Sequence, residues 1–412
     1  MFWSHFCGEV HNAIFASCAG LWPRASFKAM VKPPNRLPPQ HYVRTNEELS
    51  ALTARAAREP LVALDTEAAS FHRFVDRIYL IQLSSREETA IIDPLTVTDM
   101  SGLGTMLANP AVEVVFHDGD YDLRILDRDY GFHARHLFDT RIAAHLLGEP
   151  AVGLAALLEK HVGVSLDKKY QRADWSRRPL PPEMLEYAAT DTCYLLALRE
   201  RLRAALEALG RRSWAEEEFE RLEGVRWTPT ETNGDAWLRV KGARALGRRG
   251  LAVLRELLPW RDAIAAELDR ATFRVVSTEA LLALSAAPPR SAEELGKVRG
   301  LSPRLVSERG ASLLTVIERG LAVPEKDLPR FPRSERHATD PVFDLAVERL
   351  KKVRNDMAAH LSLDPGVLCP KGTLEAVARA RPKTKAALGD IHEIRKWQVE
   401  VLGADFLKAL GN

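Results

Sequence analysis

A small set of side chains in this sequence has the types and spacing to do chemistry together. Asp65 and Glu67 lie in LVALDTEAAS, which begins with the small and branched apolar residues of a buried strand. Strand side chains alternate faces, so positions 65 and 67 point the same way, roughly 6.5–7 Å apart. Two like charges on one face of a core strand repel each other and resist desolvation. Hard divalent cations with oxygen ligands suit such a pair. Taken alone, DTE also fits a solvated strand end.

Two further stretches change that balance. In FHDGDYDLRIL, Phe116 to Leu126, a strand ends near His117, a Gly-containing turn follows, and Asp122 falls in the first turn of a helix. An acid there is commonplace on dipole grounds, and Asp118, Asp120 and Asp122 all compete as ligands. In EYAATDTCYLL, Glu186 to Leu196, Tyr187 and Asp191 are spaced i, i+4 and share a helix face. Leu195, Leu198 and Leu202 continue that stripe, so the face turns inward and a buried Asp beside a phenol requires a partner. Other chemistries lack their motifs. There is no GxSxG elbow, no Cys/His nucleophile signature and no GxxxxGK[ST] loop.

The elements that must position these residues are legible. LVALDTEA, RIYLIQLSS and ETAIIDP read as three successive strands, and VEVVFHD as a fourth. DYDLRILDRDYG, TRIAAHLLG, VGLAALLEKHVG and a long run from Pro182 to Leu209 carry helical spacing. This order predicts a mixed sheet covered by helices. Beyond Arg226 strand signals nearly vanish, and PEKDLPRFPRSERHATDP reads as a linker between two helical segments. The expected division is a leader over 1–41, an α/β domain over 42–212, a helical domain over 213–323, a linker over 324–341 and a second helical domain over 342–412.

The 412-residue chain is 46% hydrophobic with a formal net charge of +2, an ordinary globular balance. The charge divides unevenly: residues 1–210 hold 23 basic and 27 acidic side chains, the remainder 35 and 29. An acidic half followed by a basic half points to an anionic partner held by the C-terminal part. Cys7, Cys18, Cys193 and Cys369 form no CxxC pair, which fits a reduced cytoplasmic chain. No run approaches transmembrane length. The apolar first thirty residues lack a basic n-region, so we expect a flexible leader, or translation beginning near Met30.

In order, a strand DxE, an Asp after a strand-turn-helix and a Tyr-x-x-x-Asp on a late helix resemble the DEDD exonuclease superfamily, in its Tyr-bearing subgroup. LIQLSSREETAIIDP, FDTRIAAHLLG and DWSRRPL narrow the resemblance to the ribonuclease D family. It implies a ribonuclease H-like α/β exonuclease domain, with Asp65, Glu67, Asp122 and Asp191 as metal ligands and Tyr187 as the fifth catalytic residue. The four acids would hold two divalent ions, Mg²⁺ or Mn²⁺, supporting in-line attack of water on a phosphodiester and release of nucleoside 5′-monophosphates from a 3′ end. Trp175 and Arg178, in DWSRRPL, would shape the wall near the site and contact substrate. Asp139 in FDT reads as a capping acid. Ala68 and Ala69 stand where family members often carry a bulky residue.

RVVSTEALLALSAAPPRSAEELGKVRGLSPRLVSERGASLLTVIERG, Arg274 to Gly320, resembles an HRDC domain, and LKKVRNDMAAHLSLDPGVLCPKGTLEAVA, Leu350 to Ala378, a second, more divergent one. These imply two small all-α modules. Within the first, Gly300 permits a tight turn, and Arg299, Arg304 and Arg309 would attract a phosphate backbone without reading sequence. The function implied is a metal-dependent 3′–5′ exoribonuclease acting on tRNA precursors and other structured RNA, with no nucleotide cofactor and no membrane. A DNA exonuclease and an inactive nucleic-acid-binding scaffold are the alternatives. Removing residues 324–412 is expected to weaken binding of structured RNA more than it slows hydrolysis of a short oligonucleotide.

Overall fold

A computed structural model describes residues 40–167, 169–229, 235–332 and 340–411. The expected leader therefore lies outside the described residues, except for Gln40 and His41. Those two begin the first of six strands: β1 (Gln40–Val43), β2 (Leu61–Ala68), β3 (Ile78–Ser84), β4 (Thr89–Ile92), β5 (Glu113–Phe116) and β6 (Leu137–Asp139). They form one mixed sheet in the order β1-β4-β3-β2-β5-β6. β2, β3 and β4 make an antiparallel meander, while β1 runs parallel to β4, β5 to β2 and β6 to β5. The short strands β1 and β6 are the two edges, and neither is long enough to show an alternation in sequence.

β2 shows how the sheet divides its faces. Val62 and Leu64 are wholly buried in a core with α1 (Asn46–Ala56), α2 (Ser101–Leu107) and α3 (Asp120–Tyr130). Leu61 and Ala63 point the other way, into a core with α4 (Thr140–Leu147), α5 (Leu154–His161), Leu198 and Leu202. Asp65 and Glu67 continue this second face. The long helical run from Pro182 breaks at Tyr194 into α6 (Pro182–Cys193) and α7 (Leu195–Ala208). The change of axis lets α6 cover β2, β3 and β4 while α7 packs on α4 and β5.

The boundary expected at 212 falls just before α8 (Arg212–Glu223), which nonetheless closes the sheet edge. Its Phe219 ring lies 4.8 Å from that of Phe138 on β6. Residues 235–332 hold α9 (Arg248–Glu267), α10 (Thr272–Val275), α11 (Thr278–Ala286), α12 (Ala292–Gly296) and α13 (Pro303–Ala322) around Leu254, Leu257, Leu281, Leu313 and Ile317. The described start of the expected linker packs on this bundle, with Phe331 5.0 Å from the Trp237 ring and Arg244 4.5 Å over Phe331. Residues 333–339 of that linker lie outside the described residues.

The last bundle comprises α14 (Pro341–Leu361), α15 (Pro365–Leu368), α16 (Lys371–Ala380), α17 (Lys385–Gly389) and α18 (Lys396–Ala409). It shares a core with the α/β domain rather than standing apart from it. Trp397 stacks on Trp214 of α8 with centroids 4.8 Å apart. Arg211 donates to Leu146 O at 2.8 Å and Leu361 O at 2.7 Å, tying the two units through one guanidinium. Gly148 is required at this contact: its φ is +74°, and a Cβ there would lie 2.1 Å from Ser362 O.

Candidate active site

β2, α3 and α6 converge on one cluster. Asp65 faces Gln82 of β3 in register, Glu67 faces Leu80, and the ladder shifts between Glu67 and Ala68 as the strand leaves the sheet. Asp191 comes down from α6, so that carboxylate oxygens of Asp65, Glu67 and Asp191 all lie within 4.8 Å of one another. Such convergence, from residues far apart in the chain, is a ligand set of the kind hard cations use.

The three aspartates competing at the start of α3 separate by their partners. Asp118 pairs with Arg141, and Asp120 pairs with Arg124 at 2.7 Å, both exposed. Asp122 is buried against the other acids. It lies outside the tight group of Asp65, Glu67 and Asp191. Its Oδ1 accepts from the Thr66 backbone N–H at 3.1 Å and from the Thr66 hydroxyl, both on β2.

Electrostatically the cluster is strained. Burial, then Asp122 and Asp191, pushes the Asp65 carboxyl well above its ordinary range. Glu67 is raised well above its own by burial and then by Asp65, Asp191 and Asp122. Burial raises Asp122 to about 6 and Asp191 to about 7. Tyr187 packs between Tyr170 and Trp175, ring centroids 5.5 and 6.2 Å away. Burial first, then Asp191, Glu67 and Asp65, drives its phenol upward, so at neutral pH it is an O–H.

These groups open into a cleft of about 430 Å³, lined in part by Asp65, Glu67, His117, Gln171, Tyr187 and Asp191. Burial lowers His117 to about 4, so its ring is neutral. The Thr140 hydroxyl donates to Phe116 O at 3.1 Å and therefore accepts from His117 Nδ1 at 2.9 Å. His117 Nε2 is left as an acceptor.

Residues 40–207 match the family model described as 3′-5′ exonuclease, and residues 250–317 and 345–410 match the HRDC domain. The ribonuclease D of Granulibacter bethesdensis is 32% identical over 90% of this chain and 93% of its own length. That of Escherichia coli K12 is 36% identical over 70% of this chain and 76% of its own. The chain belongs to the ribonuclease D family. Its fold is similar to the crystal structure of E. coli RNase D, described as an exoribonuclease involved in structured RNA processing, with a TM-score of 0.66 at 29% identity over 90% of this chain and 98% of that one. The catalytic core of RRP6 from Trypanosoma brucei gives a TM-score of 0.64 at 29% identity over 76% and 89%. Family and fold together make the protein a 3′–5′ exoribonuclease.

Two residues expected at the substrate are taken up by the fold of this ribonuclease D family member. Arg178 forks onto Asp93 at 2.6 and 2.7 Å and also donates to Trp175 O and Tyr79 O, each at 2.8 Å, which occupies its guanidinium. Trp175 is 1% exposed and packs among Tyr79, Leu80 and Met184. Both build the wall behind Tyr187 rather than its surface. Ala69 belongs to the same buried cluster. Arg299 is exposed in the turn before α13 and Arg304 in the first turn of α13, 2.8 Å from Glu308, and neither lines the cleft.

The sequence reading passed over Thr66, His117, Gln171 and Gln82. Gln82 is wholly buried opposite Asp65, and neither amide atom has a hydrogen-bond partner. A polar residue inside LIQLSS was the available signal. Asp139, by contrast, caps α4 as expected, accepting from the backbone N–H groups of Arg141 and Ile142.

The raised carboxyls set a pH dependence. An acid whose folded pKa lies above its unfolded value binds more protons when folded, so stability falls as pH rises through that interval. With unfolded values near 4 and folded values of about 6 for Asp122 and about 7 for Asp191, the melting temperature in EDTA is expected to fall between about pH 4 and pH 7. Mg²⁺, which favours the ionised acids, should flatten that fall at its upper end. A profile that Mg²⁺ leaves unchanged would count against a cation site here.

Proposed function

We propose that Asp65, Glu67, Asp122 and Asp191 hold two divalent cations, Mg²⁺ or Mn²⁺, and that the cleft removes nucleotides singly from RNA 3′ ends. The observation that carries this reading is the approach of Asp65, Glu67 and Asp191 to within 4.8 Å, buried and mutually repelling. Like charges brought that close out of water need compensation, and carboxylate oxygens are the donor chemistry that Mg²⁺ and Mn²⁺ take. Asp122, held by Thr66, keeps a second oxygen for the same purpose. Bound cations supply a polarised nucleophilic water and stabilise charge on the leaving 3′-oxygen.

The protein's own groups do the rest. Tyr187, kept protonated, orients the attacking water by hydrogen bonding and does not remove its proton. Tyr170 and Trp175 fix its ring. As the water oxygen bonds to phosphorus it gives up one proton to solvent, the P–O3′ bond breaks, and the freed 3′-oxygen takes up a proton, leaving a nucleoside 5′-monophosphate and a chain one residue shorter with a new 3′-OH. Structured RNA such as tRNA precursors, in the cytoplasm, is the substrate that fits two HRDC modules attached to this site, the second of them basic with 12 Lys and Arg against 8 Asp and Glu over residues 345–410.

The test is incubation of the protein with 5′-labelled RNA and matched DNA in Mg²⁺, Mn²⁺ or EDTA. A one-nucleotide ladder that chelation removes supports the reading; endonucleolytic fragments, or cleavage indifferent to EDTA, overturn it. Tyr187→Phe keeps the packing and loses the hydroxyl. It is expected to lower kcat by a factor on the order of 10² with KM and melting temperature little changed. A matching rise in KM would show that the phenol binds substrate instead.

A further inference from the structure

The loop after β2 is clamped to the first HRDC bundle. Arg73 pairs with Asp269 at 3.1 Å, Ala271 N donates to His72 O at 3.2 Å, and Arg274 donates to Phe71 O. Across this seam Phe71 and Phe273 meet edge to face with centroids 6.2 Å apart. Both rings remain nearly half exposed, 45% and 48%. Two phenylalanines that meet at a bonded seam and still leave about half of their surface exposed form a small apolar patch beside the cleft. Arg172 sits 5.4 Å over the Phe71 ring.

The pair is continuous with the acid cleft through consecutive residues. Tyr170 touches Tyr187, Gln171 lines the cleft, and Arg172 covers Phe71. His72 Nε2 fixes that strip by bonding Arg172 O at 2.9 Å. We propose that Phe71 and Phe273, with Arg172, form a stacking platform for an unpaired RNA base 5′ of the nucleotide being removed. This rests on the exonuclease reading above. Exposed aromatic surface takes any base, and the guanidinium already over Phe71 offsets phosphate charge beside it. A single-stranded tail is the occupant that meets both features, and half of the platform comes from the HRDC bundle. That bundle thus takes part in the path to the site as well as in remote binding.

The test uses the full chain with 5′-fluorescein oligoadenylate of ten nucleotides and with the dinucleotide ApA. Phe71→Ala and Phe273→Ala are each expected to weaken binding of the ten-mer in EDTA about tenfold, read by anisotropy. In Mg²⁺ the same variants should raise KM for the ten-mer by a similar factor, leaving kcat and ApA hydrolysis near wild type. Phe71→Tyr, which keeps the ring, should restore binding. Unchanged ten-mer affinity, or equal loss on ApA, overturns the platform and leaves the seam as packing. Wild-type binding without cleavage would instead overturn the catalytic reading, since the EDTA measurement needs no turnover.

Discussion

Asp65→Asn is expected to slow release of nucleotides from a 5′-labelled RNA by a factor on the order of 10³ or more, about 4 kcal/mol of transition-state stabilisation. The substitution keeps the shape of the side chain and removes one charge from the middle of the cluster. Asp65 is flanked by Glu67 two residues along β2, by Asp191 from α6 and by Asp122 from α3. No other acid can be moved into its place without bending β2. The same change relieves repulsion that burial amplifies, so the melting temperature in EDTA should rise while the stabilisation conferred by Mn²⁺ shrinks. Opposite responses of activity and metal-free stability distinguish a ligand from a structural acid. Loss of both together would place Asp65 in the framework instead.

Ending the chain at residue 340 is expected to unfold or precipitate the protein, contrary to the separable module the sequence pointed to. The last bundle joins the apolar core that holds Leu146, Leu147 and Phe219, through α15 on α4 and α18 on α8. Trp214 would lose the stacked Trp397, and the buried Arg211 would lose its Leu361 acceptor. Glu217 would no longer accept the N–H groups of Lys396 and Trp397, at 2.8 and 3.0 Å, nor Glu218 the Trp397 indole N–H at 3.0 Å. A single large apolar side chain returned to water costs about 1.5–3 kcal/mol. Losing several consumes much of a typical stability of about 5–15 kcal/mol. Calorimetry and hydrolysis of a short oligonucleotide read the outcome together. A truncated chain that stays folded and cleaves the oligonucleotide at the wild-type rate would falsify this account. Trp397→Ala in the full chain is the milder form, with a smaller drop in melting temperature and the same direction.

Much of the site was legible because its parts are local. The DxE spacing on a strand, the i, i+4 spacing of Tyr187 and Asp191, and the capping role of Asp139 follow from backbone periodicity alone. Local spacing left Asp118, Asp120 and Asp122 open, and the family resemblance alone pointed to Asp122. In the fold Asp118 and Asp120 find arginine partners in space, Arg141 and Arg124, and Asp122 is carried inward to Thr66. Arg178, expected in the wall near the site, is fixed there by the distant Asp93 it forks onto, a partner that no local pattern names.

By itself, then, the sequence determined the strands that carry Asp65 and Glu67, the helix that carries Asp191, the two helical segments after Arg226 and the chemistry such acids favour. Those properties depend on alternation and turn residues within a dozen positions. Only the tertiary structure decided that the acids crowd within 4.8 Å, that Trp175 packs among Tyr79, Leu80 and Met184 while Arg178 forks onto Asp93, that the last bundle shares a core with the sheet, and that Phe71 meets Phe273 across a domain seam. Each of these pairs groups separated by tens to hundreds of residues. Burial and competition for partners, which no local pattern encodes, select among the arrangements that the periodicities permit.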